Sequence, residues 1–193
     1  MKKLFILFAL SGALSAPAQK WAKNFSFVDQ CVCGLSLAGK DGKYGYVDRG
    51  GNIIVPIIFD EGITFSEGYA AVRKGDKWQY LDSTGKFVTD AVYSDAESFS
   101  DGFAAVMHDN LYGYINTSGK LVIDFKFSNA RSFSEGLAPV ANKKGLWGYI
   151  NREGQIVITP EYNFADSFSN GEARVIQGDK VFYIDRNNKM LHE

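Results

Sequence analysis

Two cysteines are the first residues whose chemistry and spacing could make a site. Cys31 and Cys33 are the only cysteines in the chain, in C-x-C spacing. A disulfide between adjacent positions on one face of a strand would lie near the upper limit of the allowed Cα separation. A metal site would require further ligands, and both histidines, His108 and His192, are remote in sequence. We therefore predict small buried residues, because free cysteine packs as a small hydrophobe, with a disulfide or a metal site as alternatives.

Histidine 108 is the one further candidate for catalysis. It stands where related segments carry Lys74 and Asn142. No nucleophile with an orienting partner lies near it in sequence, so a solvent-exposed loop histidine is favoured over a general base. We interpret the serines that recur along the chain as turn residues whose side chains form hydrogen bonds with the local backbone. We expect no enzyme activity, no catalytic residue, no cofactor and no metal.

The first 18 residues have the layout of a secretory signal. Lys2 and Lys3 precede an apolar run at 4–14, and Ala16-Pro17-Ala18 predicts cleavage after Ala18. The run is too short to span a bilayer, so we expect a protein exported to the periplasm or the extracellular space, with no membrane span after cleavage. Cleavage would leave 19 basic and 22 acidic residues without a basic cluster. Nucleic acid is therefore not an expected partner.

The remaining chain is periodic. An aromatic-x-Tyr element recurs at offsets of 34, 34, 35 and 34 residues, beginning at Tyr44, Trp78, Tyr112, Trp147 and Val181. A Phe-Ser-x-Gly element recurs in step, beginning at Phe65, Phe99, Phe133 and Phe168. A fixed period of this length is typical of a repeat architecture.

Each repeat predicts three strands. The aromatic-x-Tyr strand ends at an Asx residue followed by a turn residue such as Gly85, which closes a hairpin with an apolar second strand. A third strand follows the Phe-Ser-x-Gly turn. There Ala70 and Val72 recur in every repeat while the residues between them vary, so we expect the Ala/Val face to be the packed one.

The chain is therefore predicted to be all-β, a tandem array of about five three-stranded units of about 34 residues that stack as an open solenoid. The alternative is a closed five-unit ring like a propeller, in which the two partial end units combine into one. The predicted divisions are a signal peptide at 1–18, a degenerate partial repeat at 19–43, repeats at 44–77, 78–111, 112–146 and 147–180, and a partial repeat at 181–193.

These motifs resemble the WG-repeat family, also written KWG. The resemblance rests on aromatic-Gly-Tyr-aliphatic-Asx, a glycine turn, an apolar strand, Phe-Ser-x-Gly and Ala-x-Val, and it covers residues 44 to 192. Gln79 and Phe182 depart from the glycine that the family usually carries after the aromatic residue. The resemblance implies a bacterial, often exported, β-repeat protein with an interaction role and no established chemistry.

Two binding functions follow as hypotheses. The first is a scaffold or protein-binding module whose variable outward positions supply specificity, namely Tyr69, Phe103, Arg131 and Arg174. The second is binding of a glycan of the cell envelope or cell wall through aromatic hairpins such as Trp78-Gln79-Tyr80. Aromatic residues that recur in every repeat are more often core than platform, so exposure of Trp78 and Trp147 discriminates between the two.

Overall fold

The computed structural model describes residues 20–193, and the predicted signal peptide at 1–18 lies outside these residues. The described chain is all-β apart from one 3-10 helix, Lys20–Asn24. Within residues 20–193, no helix is long and apolar enough to cross a membrane.

The strands form five small antiparallel sheets that follow one another along the chain. The first sheet contains β1 (Phe27–Val28), β2 (Leu35–Lys40), β3 (Lys43–Asp48) and β4 (Ile53–Phe59), and the second contains β5 (Glu61–Gly62), β6 (Tyr69–Lys74) and β7 (Lys77–Asp82). The third contains β8 (Asp95–Ala96), β9 (Phe103–His108), β10 (Leu111–Asn116) and β11 (Leu121–Phe127). The fourth contains β12 (Asn129–Ala130), β13 (Ala138–Ala141), β14 (Trp147–Ile150) and β15 (Ile156–Tyr162), and the fifth contains β16 (Phe164–Ala165), β17 (Glu172–Gln177), β18 (Lys180–Asp185) and β19 (Met190–His192).

The sheets are offset from the sequence repeats. The aromatic-x-Tyr strand pairs on one side with the apolar strand after it, and on the other side with the Ala-x-Val strand before it, as β10 pairs with both β11 and β9. Each sequence repeat therefore gives strands to two sheets. Four of the five sheets have four strands, because a short strand such as β8 forms ahead of the Phe-Ser-x-Gly turn. The sequence predicted only three.

The glycine between the two aromatic residues explains which sheets have a long fourth strand. A Cβ on Gly148 would lie 2.3 Å from the carbonyl oxygen of Ile158 in the outer strand, and Gly45 and Gly113 have contacts of 2.5 Å. Gln79 occupies this position in the second sheet, where only isolated bridges replace the outer strand. The outer strand approaches closely only where no side chain intervenes.

Both faces of the sheets in the middle of the stack are packed, so the prediction of a single packed face is wrong. Ala70 and Val72 belong to the buried cluster between the first and second sheets. Ala71, which lies between them in sequence, is 1% exposed and belongs to the cluster between the second and third sheets. Since alternate side chains point to opposite faces, a sheet in the middle of a stack needs apolar residues at both sets of positions.

The buried clusters of residues 20–193 link successive sheets of the stack. The described residues form four buried hydrophobic clusters, and each of them joins one sheet to the next. None of these four clusters joins the fifth sheet to the first. The partial repeats at the two ends do not combine: β1 and β2 pair within the first sheet, and β18 and β19 pair within the fifth. The described chain is thus a row of small sheets with two ends.

The recurring tyrosines tie each sheet to the next. In the first four elements the second aromatic residue is fully buried and donates its hydroxyl to a backbone carbonyl that follows the short strand of the next sheet. The pairs are Tyr46 with Ile63 at 2.7 Å, Tyr80 with Glu97 at 2.6 Å, Tyr114 with Arg131 at 2.8 Å, and Tyr149 with Asp166 at 2.8 Å. The hydroxyl is satisfied inside an apolar interface, so the tyrosine both packs and sets the register between sheets.

Candidate functional site

The short first strands of three successive sheets converge on one cavity. It has a volume of about 730 Å³ and lies among residues that belong to or follow β1, β5 and β8, with walls from the first and second sheets. We call the side of the stack that carries these short strands the inner edge, and this cavity the inner groove. Volumes of this size are typical of sites that hold a small molecule or part of a larger partner.

Four carboxylates line the inner groove, and its lining contains no lysine, arginine or histidine. They are Asp60, Glu61, Asp95 and Glu97. Asp60 and Glu61 are paired with Lys43 and Arg73, which stand outside the lining. The groove therefore has a negative lining in a protein whose formal charge is only −1.

The other two carboxylates have weaker compensation. Asp95 accepts a hydrogen bond from the Tyr112 hydroxyl and one of 3.0 Å from the Ala96 amide. The pKa of Glu97 is raised, first by loss of hydration and then by the charge of Asp95, while Arg131 acts in the opposite direction. A carboxylate that is partly dehydrated beside a second negative charge gains from the arrival of a cation.

Aromatic rings complete the lining. Phe27 is 46% exposed, and its ring packs edge-on against Tyr44 with the centroids 6.5 Å apart. Trp78 contributes the third ring, although it is 9% exposed and carries the Arg73 guanidinium 5.9 Å from its centroid. Aromatic faces beside carboxylates suit a ligand with a positive charge on an apolar stem.

The structure brings two of the four sequence-predicted binding residues together. The guanidinium groups of Arg131 and Arg174 lie 4.7 and 5.6 Å from the centroid of the Phe164 ring. Both also approach Asp166, at 4.0 and 3.3 Å. This cluster lies on the fourth and fifth sheets, and neither arginine lines the inner groove.

The other two predicted residues lie between sheets. Tyr69 packs on Phe99 with ring centroids 4.9 Å apart, and Phe103 packs on Phe133 at 4.8 Å. Both are half-buried rather than fully outward. The residue type at this position varies between repeats, and in both of these repeats it packs against the next sheet.

The residues considered for chemistry lie apart from the groove. His108 is exposed, with Nδ1 3.2 Å from Asp109. Cys31 and Cys33 are free and exposed, so the prediction that they are buried is wrong. Cys31 occupies the position of the buried Phe99 of the third sheet, but within residues 20–193 no sheet precedes the first one to cover it. Among residues 20–193, no group of three or more His, Cys, Asp or Glu is arranged to hold a metal ion.

Sequence reasoning missed the residues of the inner groove. The signal was present at the positions just ahead of the Phe-Ser-x-Gly turn, where Glu61, Asp95, Asn129 and Phe164 occupy the same place in successive repeats. Variation at a fixed place in a repeat marks positions that the fold does not dictate. The short strands were not predicted, so these positions could not be assigned to one edge.

Known structures share this fold at low sequence identity. Hsv2 of Kluyveromyces marxianus matches with a TM-score of 0.55 and 12% identity, over 81% of this chain and 60% of that one. A eukaryotic initiation factor matches with a TM-score of 0.57 and 11% identity, over 84% of this chain and 52% of that one. The chain thus spans a little over half of the length of these structures. The likeness concerns the fold alone, which is a row of sheets of the β-propeller kind.

No curated protein matches the sequence significantly. The WG containing repeat matches four times in tandem, at residues 44–78, 80–112, 112–145 and 147–180. These matches cover most of the chain and follow the aromatic-x-Tyr period that the structure converts into stacked sheets, and the chain therefore belongs to the family of WG-repeat proteins.

Proposed function

We propose that this protein is a non-catalytic binding module whose inner groove receives a basic segment of a partner protein. The observation that supports this most is the lining, which combines four carboxylates and three aromatic rings with no basic residue. A lysine or arginine side chain would bring a positive charge to Asp95 and Glu97 and lay its methylene stem against Phe27 and Tyr44.

A rigid row of sheets suits this role. The segments that follow β5 and β8 are each held by a tyrosine hydroxyl of the preceding sheet, so this part of the groove is formed before the partner arrives. Preformed sites lose less conformational entropy on binding. We further propose that the protein acts outside the cytoplasm of a bacterial cell, on the basis of the amino-terminal sequence and of the family.

The alternative of glycan binding has less support. Trp78 and Trp147 are 9% and 8% exposed, and arginine side chains lie over both rings. A sugar-binding platform requires an accessible ring face, and these two indoles offer little of it.

The test compares peptides that differ only in one central side chain. Octapeptides with lysine, arginine, norleucine or glutamate at the centre are titrated into the protein, and binding is followed by fluorescence anisotropy. The basic peptides should bind more tightly than norleucine by about tenfold, because two carboxylates lack a basic partner within ion-pair distance.

The variant Asp95→Asn/Glu97→Gln should abolish this preference. The control variant Asp109→Asn/Glu153→Gln removes two exposed carboxylates outside the groove lining and should leave it intact. Equal binding of the lysine and norleucine peptides by the unaltered protein would rule out the proposed function.

A further inference from the structure

The end face of the fifth sheet carries the hydrogen-bonding groups that elsewhere join two sheets. In the stack, side chains of one sheet form hydrogen bonds with backbone groups of the next sheet, in the segment that begins at its short first strand. The second sheet shows the full set: Tyr80 donates to the Glu97 carbonyl at 2.6 Å, Ser66 donates to the Phe99 carbonyl at 2.7 Å, and Glu67 accepts from the Gly102 amide at 2.9 Å.

The same set recurs between the last two sheets. Tyr149 donates to the Asp166 carbonyl at 2.8 Å, Ser134 donates to the Phe168 carbonyl at 2.7 Å, and Glu135 accepts from the Gly171 amide at 3.1 Å. In both cases the bound element presents carbonyls at residues i and i+2 and then enters a tight turn, in which residues i+4 and i+5 have positive φ and the glycine at i+5 presents its amide.

The fifth sheet repeats these three groups, and within residues 20–193 no further sheet packs on them. They are Tyr183, Ser169 and Asn170, which occupy the places of Tyr149, Ser134 and Glu135 in the fourth sheet. Within residues 20–193 none of their side chains has a hydrogen-bond partner. Asn170 has a φ of 55°, which matches the 53° of Glu135, so the turn keeps its binding geometry. Together with Asp166, Ser167, Glu172 and Arg174 they line a cavity of about 270 Å³.

Two other positions of this face, which are apolar in the second sheet, carry charged residues. Glu172 stands where Tyr69 packs on Phe99, and Arg174 stands where Ala71 is buried. Glu172 lies 3.1 Å from His192, and the His192 ring stacks on Tyr183 with centroids 4.5 Å apart. Another apolar sheet would bury these charges at a large cost, whereas a segment with a basic side chain could pair with Glu172.

We propose that the end face of the fifth sheet, which comprises Ser169, Asn170, Glu172, Arg174 and Tyr183, docks a segment of a partner protein that ends in the same tight turn. Tyr183 and Ser169 donate to the segment's carbonyls i and i+2, and Asn170 accepts from its amide i+5. The side chain at i+2 takes the place of Phe99 between Glu172 and Tyr183, and it is basic. The inference does not depend on the inner groove, which lies on the first three sheets.

The chain itself supplies the peptide for the test. The octapeptide Asp95–Gly102 contains the segment that the second sheet binds, and its Phe99→Lys form carries the basic side chain. Each is titrated into the ¹⁵N-labelled protein, and the amide shifts of the fifth sheet are followed by NMR. Both should bind there, the Phe99→Lys peptide about fivefold more tightly, as expected for one partly exposed ion pair.

Two variants identify the contacts. Tyr183→Phe removes only a hydroxyl and should weaken both peptides about fivefold, which is the effect of one net hydrogen bond. Glu172→Gln should remove the preference for the lysine peptide. Tyr93→Phe is the matched control, since Tyr93 lies in the cluster between the second and third sheets, and it should change neither affinity.

Three results would overturn the proposal. The fifth-sheet amides could show no saturable shift, which would make this face a polar cap only. Tyr183→Phe could bind both peptides as well as the unaltered protein does. Alternatively, the end face could be occupied by a second copy, revealed by fifth-sheet shifts that depend on protein concentration without any peptide.

Discussion

An isoleucine at equivalent positions of two sheets offers a direct test of the open stack. Ile184 in the fifth sheet and Ile115 in the third are 1% and 0% exposed, and each faces the preceding sheet. Replacing a fully buried isoleucine by alanine costs about 3 kcal/mol. By the relation of 1.4 kcal/mol to a factor of ten, local opening should become about 150-fold more frequent.

The position of the change decides where this opening is seen. In an open stack each sheet contacts only its neighbours, so Ile184→Ala should deprotect the fifth sheet and the facing side of the fourth, with the first sheet unaffected. Ile115→Ala should deprotect the second and third sheets. Hydrogen exchange measured by mass spectrometry reads each sheet separately. If Ile184→Ala deprotects β1 to β4 as strongly as β16 to β19, the ends are coupled and the reasoning fails.

Three further outcomes are expected in urea unfolding. Tyr80→Phe should lower the free energy of unfolding by about 1–2 kcal/mol, because the Glu97 carbonyl loses its buried donor, whereas Tyr93→Phe should leave it nearly unchanged. Equal losses for the two variants would contradict a stabilising role of the Tyr80 hydrogen bond. Gly148→Ala should lower the free energy of unfolding by about 3 kcal/mol or more, since its Cβ would lie 2.3 Å from the Ile158 carbonyl oxygen. A loss no larger than that of a glycine replacement without a steric clash would argue against the close approach. The raised pKa of Glu97 means that folding disfavours its charged form, so stability falls as pH rises through the unfolded value of about 4.3. Glu97→Gln should therefore stabilise the protein at about pH 7 and not at about pH 3, and a stabilisation independent of pH would refute the assignment.

Much of the fold could be read from periodicity. A strand has a two-residue alternation and a hairpin has local turn chemistry, so the aromatic-x-Tyr hairpins and the Ala-x-Val strand were predictable from short stretches. The departure at Gln79 was also visible, and it coincides with the sheet whose outer strand is replaced by isolated bridges. Its consequence was not predictable, because it depends on a carbonyl about ten residues away in the chain.

The candidate sites show where local reasoning ends. Arg131 and Arg174 were selected because they vary along the repeat, and the structure places them on one phenylalanine ring. Tyr69 was selected by the same rule and packs against the next sheet. Variation alone does not distinguish a residue that adapts to a neighbour from a residue that faces a cavity, since both depend on what lies opposite.

The amino-acid sequence by itself determined the all-β class, the repeat of about 34 residues and its family, because each of these follows from patterns within a single repeat. Only the tertiary structure decided that each repeat is shared between two sheets, that both sheet faces are packed, and that four carboxylates from the second and third sheets meet in one groove. These features arise from contacts between repeats, and their geometry is set by how one sheet lies on the next.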